Sequence, residues 1–86
     1  MTRQDFQVLA DVMAEGFCLA EERHGNSEIF YDECYTPLVQ HLKAAYENFD
    51  PLTFSYKTAI GIGKIQNKEL VEGTTISDLV TGTQIA

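Results

Sequence analysis

The first 25 residues, "MTRQDFQVLADVMAEGFCLAEERHG", carry helix signals at both ends, and this bounds the fold more tightly than any other feature of the chain. Thr2 stands where a side-chain oxygen can cap a first turn. Asp5, three residues on, approximates a capping box and suits the positive end of the helix dipole. Phe6, Leu9, Met13, Phe17 and Ala20 recur at three- and four-residue steps as one apolar stripe, which Val8, Val12 and Leu19 widen. Gly25 offers a left-handed stop, with Arg23 and His24 in the last turn, where positive charge is favoured. The pattern predicts a helix from about Arg3 to Arg23.

A stripe of that length needs a partner, and the following segment supplies one. Asn26 or Ser27 can cap a second helix, along which Phe30, Cys34, Leu38, Leu42, Ala45 and Phe49 hold helical spacing, with Tyr31, Tyr35 and Tyr46 at the edges. Pro37 interrupts it, because an interior proline removes a backbone bond and clashes one turn back. A kink is expected there, or a restart with Thr36 as cap and Pro37 in the first turn. Two helices joined by so short a link pack as an antiparallel hairpin.

Beyond it, "NFDPLTFSYKTAIGIG" gives two opposed signals. Asp50 before Pro51 is a cap followed by a favoured first helical residue, and Phe49 with Phe54 has the spacing of a hydrophobic staple, which favours a helix from Pro51 to about Ile60 with Gly61 as its stop. Yet Leu52, Phe54, Tyr56, Thr58, Ile60 and Ile62 alternate with Thr53, Ser55, Lys57, Ala59 and Gly61 as a strand would. Local signals leave the two level. The tail is punctuated by glycines and Asn67, and it supports two alternatives: a hairpin pairing Ile60 to Ile65 with Glu69 to Val71, or a short helical turn opened by Thr75 and Asp78. The last few residues are expected to be loose.

With 86 residues there is material for a single core and hence one domain: a helical part over positions 1–60 and a C-terminal extension over 61–86. The expected class is mainly α, a two-helix hairpin plus a short third helix with an irregular or β-hairpin C-terminal segment; the alternative is α+β. Hydrophobic residues at 44% and charged residues at 22% argue against wholesale disorder. The longest apolar run is far short of the ~18 residues that span a bilayer. The N-terminus is amphipathic and does not read as a signal peptide, so a cytoplasmic protein with no membrane partner is expected.

Charge is placed unevenly. The net charge is −7, and all of it falls within Met1 to Asp50, where ten acidic residues face three basic ones. Such a surface repels a phosphate backbone, which disfavours direct nucleic-acid binding, and attracts a protein with a basic surface. Asp11, Glu15 and Glu22 line one helical face, while Glu28, Asp32 and Glu33 begin the next helix. These six are the candidate binding residues, against the blander reading that they serve helix dipoles and solubility.

Other chemistry is thinly represented. Cys18 and Cys34 read as buried thiols, since they form no Cys-x-x-Cys pair and the four ligands of a structural zinc site would require them to meet His24 and His41. Neither a metal nor another cofactor is implied. A cysteine nucleophile with His41 lacks an orienting third group and an oxyanion site, and "IGIGKI" lacks the ending of a phosphate loop, so an enzyme is the least favoured class. Phe30, Tyr31, Tyr35 and Tyr46 offer more ring area than two short helices need, and the three tyrosines are candidates for self-association into a homodimer, against the blander reading that all four rings are core and rim of the monomer.

"MTRQDFQVLADVMAE", followed after a second helical segment by "ENFDPLTFSYKTAIG", resembles a group of small phage and prophage helical proteins. They open Met-Thr-Arg or Met-Thr-Lys, a polar residue, Asp and an aromatic, and close on Phe-Asp and a short helix carrying Phe, Ala and Gly. Met1, Thr2, Arg3, Asp5, Phe6, Leu9, Ala10, Asn48, Phe49, Asp50, Phe54, Ala59 and Gly61 carry the match, over roughly the first 60 residues. The resemblance implies a helix at Pro51. It implies no activity, since such proteins mostly have no assigned function, and this chain runs on past the point where they end. Together with the charge it gives the expected function: a phage-encoded accessory protein that binds and inhibits a host protein, such as a nucleic-acid-handling or defence enzyme. The alternative is an assembly component working as a homo-oligomer.

Overall fold

The computed structural model describes residues 2–81, the last by its backbone alone. Helix α1 (Arg3–His24) is closed at both ends by the expected bonds. Thr2 N–H donates to Asp5 Oδ2 at 2.9 Å and Asp5 N–H donates to Thr2 Oγ1 at 3.2 Å, a complete capping box. Gly25, at φ 80°, donates its N–H to the Glu21 carbonyl. The paired bonds to Thr2 hold the Asp5 carboxyl below its usual range.

The second helical segment is continuous but not uniform. Asn26 Oδ1 accepts from Glu28 N–H at 3.2 Å and opens α2 (Glu28–Phe30), while Ser27 makes no side-chain cap bond. The chain then widens into a π-helical turn (Tyr31–Tyr35) before α3 (Thr36–Ala45). Tyr35 and Thr36 keep right-handed helical backbone angles, so the expected restart at Thr36 does not occur. Instead Thr36 N–H donates to the Tyr31 carbonyl, five residues back, and this extra residue in the turn sits just ahead of Pro37, where the ring would otherwise press on the preceding turn. The added residue also advances the inward face by one position. Tyr35 is therefore buried, and Cys34, expected in the stripe, is exposed.

Helix α4 (Pro51–Gln66) resolves the conflict in favour of helix. Asp50 Oδ1 accepts from Leu52 N–H at 3.1 Å and its Oδ2 from Thr53 Oγ1–H at 2.6 Å, which holds its carboxyl low. The staple forms too: the Phe49 and Phe54 rings lie 5.3 Å apart. Gly61 does not stop the helix, which runs on to Asn67, a left-handed cap at φ 54°. Among the described residues there is no strand, so neither the strand at Phe54 to Ile62 nor the hairpin around Gln66 to Lys68 is realised. The other alternative holds: Thr75 and Asp78 exchange bonds of 3.0 and 3.2 Å and open α5 (Ile76–Thr81). The expected looseness of the last few residues concerns positions outside those described.

Ring contacts give the direction of the second segment. Phe17 meets Phe30, Tyr31 and Tyr35, and Phe6 meets Tyr46 and Phe49, so the segment returns antiparallel to α1. The hairpin expected from the sequence is present, but its rings hold the two backbones apart, and the main packing partner of α1 is α4. Gly61 allows this, because a Cβ at that position would lie 2.8 Å from the Ala14 Cβ. Gln66 Nε2–H donates to Glu21 Oε2 further along, so α1 and α4 run parallel. Ala10, Ala14 and Phe17 of α1, Tyr35 and Leu42 of the second segment, Phe54 and Ile62 of α4, and Ile76 of α5 meet in one core. The Cα radius of gyration, 12.3 Å, matches the roughly 12 Å expected of a single compact domain of this length.

Candidate functional site

Helix α1 is a rigid, doubly capped rod, so what its outer face presents is held in fixed order. At about 100° per residue, Val8, Val12 and Leu19 fall roughly opposite Ala10, Ala14 and Phe17. They are 56%, 51% and 49% exposed, which corrects the expectation that they widen the core stripe. Beside this apolar row, on the edge turned toward α4, stand Asp11, Glu15 and Glu22, all exposed as the sequence suggests. Gln7 Nε2–H donates to Asp11 Oδ1 at 3.0 Å and steadies one of these carboxylates.

The other three candidate acids are not part of that face. Glu28 and Asp32 line a shallow cleft of about 210 Å³ with Tyr31, Ser77 and Val80, against α5. Glu33 lines a different one, of about 480 Å³, with Ala20, His24, Ile29, Phe30 and Cys34. By helical spacing Ala20 and His24 lie on the far side of α1 from Asp11, Glu15 and Glu22. The six acids thus fall into three groups, of which the α1 row runs straight along a helix beside a line of exposed apolar side chains, while Glu33 stands by the exposed Ile29.

His24 and Cys34 share the larger cleft, but Cys18 lies elsewhere, half-buried near Glu21 and Lys68. Burial, reinforced by the Glu21 carboxylate, pushes the Cys18 thiol up and keeps it protonated, which is unfavourable for a nucleophile or a metal ligand. Among the described residues no three His, Cys, Asp or Glu side chains come together as metal ligands would.

Of the three tyrosines, Tyr35 is not on the surface. It is 4% exposed, stacked on Tyr31 at 5.4 Å and on Phe54 at 5.8 Å between centroids. Its hydroxyl is buried without a well-formed hydrogen bond: the neighbouring Ser55 Oγ accepts from Ile76 N–H, and Thr58 Oγ1–H donates to the Phe54 carbonyl. Burial raises its pKa, an effect that the Ser55 and Thr58 hydroxyls only partly offset. Tyr31 and Tyr46 are half-buried, against Phe17 and Phe6 respectively.

No protein-family model matches the chain, and neither a curated protein nor a solved structure is significantly similar to it. No helix among the described residues is long and apolar enough to cross a membrane.

Proposed function

We propose that this chain is a phage-encoded accessory protein acting in the bacterial cytoplasm, where its acidic surface binds a basic surface of a host protein and blocks that protein. The basic surfaces of nucleic-acid-handling and defence enzymes are the targets its charge suits. The observation that carries the binding reading is the row of Asp11, Glu15 and Glu22 on the outer face of a capped helix, in a chain of net charge −7. Inhibition and phage origin rest on the resemblance of the first 60 residues to small phage proteins.

Affinity capture of the tagged protein from bacterial lysate at rising ionic strength tests this. The expected result is one basic protein held at low salt and released as the screening length falls to about 8 Å near physiological salt, and lost when Asp11, Glu15 and Glu22 are reversed to Lys. Adding the pure protein should then lower that target's activity. Recovery of the bait alone as a defined oligomer would overturn the reading in favour of a self-assembling component.

A further inference from the structure

We propose that the outer face of α1 docks an amphipathic α-helix of its partner, with Val8, Val12 and Leu19 covered by the partner's apolar side and Asp11, Glu15 and Glu22 meeting a Lys/Arg edge. The inference rests on the binding reading above and names the partner's structural element. Charge density separates it from the simpler idea that the acids imitate a nucleic-acid backbone. Asp11 to Glu22 spans about 16 Å of helix. Duplex DNA carries one phosphate charge per about 1.7 Å of axis, hence about nine over that length, where the row offers three. Three carboxylates are too sparse to fill a phosphate-binding groove by charge alone.

Leu52 and Ile60 of α4 are as exposed as the α1 row, so what sets this face apart is apolar area beside a run of like charge. Val8 to Leu19 covers three turns, with all three side chains about half exposed on the side opposite the core. A row at steps of four and seven, bordered by charge on one edge, is the pattern a helix presents to another helix lying along it. The acidic border then sets which helices are accepted, since a neutral or acidic one would leave Asp11, Glu15 and Glu22 facing apolar or like-charged groups.

Charge also argues against a second copy of this chain as the occupant. A two-fold axis pairing α1 antiparallel with itself places both acidic edges on the same side of the contact. Parallel pairing sets each acidic edge against a border that carries Arg23 but also Asp5. A basic partner helix avoids both conflicts.

The test uses the full-length protein and a display library of randomised helical peptides about five turns long. Enriched peptides should share apolar residues at helical spacing with Lys or Arg along one edge. They should lose affinity about tenfold or more on Val12→Asp or Leu19→Asp, and by a smaller, salt-dependent factor on Glu15→Lys. Methyl NMR shifts of Val8, Val12 and Leu19 in the unsubstituted protein locate the peptide independently of any variant's folding. Failure to enrich any peptide, or peptides that leave those methyls unshifted and bind Val12→Asp as well as wild type, would overturn the docking. A host protein lost on charge reversal but indifferent to Val12→Asp and Leu19→Asp would overturn it too while leaving the binding function standing. Peptide binding with no host target captured would do the reverse.

Discussion

The two sides on which α1 joins the rest of the molecule are built on opposite principles. Toward α4 the packing is close and made by small residues: Ala14 meets Gly61 with no room for another methyl group. Toward the second segment it is made by large side chains, a cluster in which Phe17 touches Phe30, Tyr31 and Tyr35 at centroid distances of 4.8 to 6.3 Å. A seam of small residues gains its energy from many close backbone contacts and has no side-chain freedom with which to absorb change. A ring cluster gains its energy from buried area and can tilt. Close packing of small residues and packing of large rings thus coexist on adjoining faces of one helix.

The largest effect should come from emptying the ring cluster. Phe17→Ala removes the side chain on which three rings converge and is expected to cost about 3–5 kcal/mol, read from urea denaturation. A loss below about 1 kcal/mol would show that the rings collapse to fill the space.

Next in size is the seam. Gly61→Ala places a methyl against the Ala14 Cβ, which is fixed by its own backbone, and should cost about 1–3 kcal/mol despite the better helix propensity of alanine. Adding Ala14→Gly moves the methyl to the other helix and should restore most of the loss, a coupling that a double-mutant cycle measures. Gly16→Ala offers the contrast. Its new methyl meets the end of the Phe30 ring, and that half-buried ring can swing toward the cleft it lines with Ala20 and His24. Its cost should fall clearly below that of Gly61→Ala, and equal costs would break the distinction between rigid seam and yielding cluster.

Tyr35 sharpens the comparison from within the cluster. Because its hydroxyl is buried without a well-formed partner, Tyr35→Phe should be neutral or stabilising by up to about 1 kcal/mol. The sign of the pH effect follows from burial. The folded-state pKa lies above the unfolded value of about 10, so the stabilising contribution is complete below about pH 10 and is lost as pH rises toward the folded pKa. Thermal melts should show alkaline destabilisation that is reduced in Tyr35→Phe.

The smallest effect lies at the helix starts. Asp5 and Asp50 have depressed folded-state pKa values, so their contribution is complete above the unfolded value of about 3.9 and falls away as pH drops through the folded ones. Thr2→Ala and Thr53→Ala should each lower stability near neutral pH, with the difference from the unsubstituted protein shrinking in thermal melts as pH falls below about 4.

Much of the fold was legible in local sequence. Thr2 with Asp5, Gly25, Asn26, Asp50 before Pro51, and Thr75 with Asp78 all act where they stand, because a cap needs only the residues within one turn of it. The acids at Asp11, Glu15 and Glu22 were legible for a similar reason, since charge without a partner goes to the surface. The alternation from Leu52 to Ile62 left helix and strand level because the buried positions Phe54, Ser55, Thr58, Ala59 and Ile62 include small and polar residues, whose burial follows from the neighbouring helices and not from their hydrophobicity. Val8, Val12 and Leu19 were misassigned because α1 is apolar around much of its circumference. Their angular position opposite Ala10 and Ala14 was the available signal, but small alanines do not announce a core.

Residues within a turn of each boundary place both ends of α1 and the starts of the second segment and of α4, and the sequence alone gathers the charge into Met1 to Asp50. Long-range packing set the rest: α1 lies closest to α4, a π-helical turn carries Tyr35 inward and Cys34 outward, and an apolar row faces out beside the acids. The physical reason is range: caps and charge act over a single turn or a few residues, whereas the burial of a small residue depends on whether another backbone comes close enough to cover it.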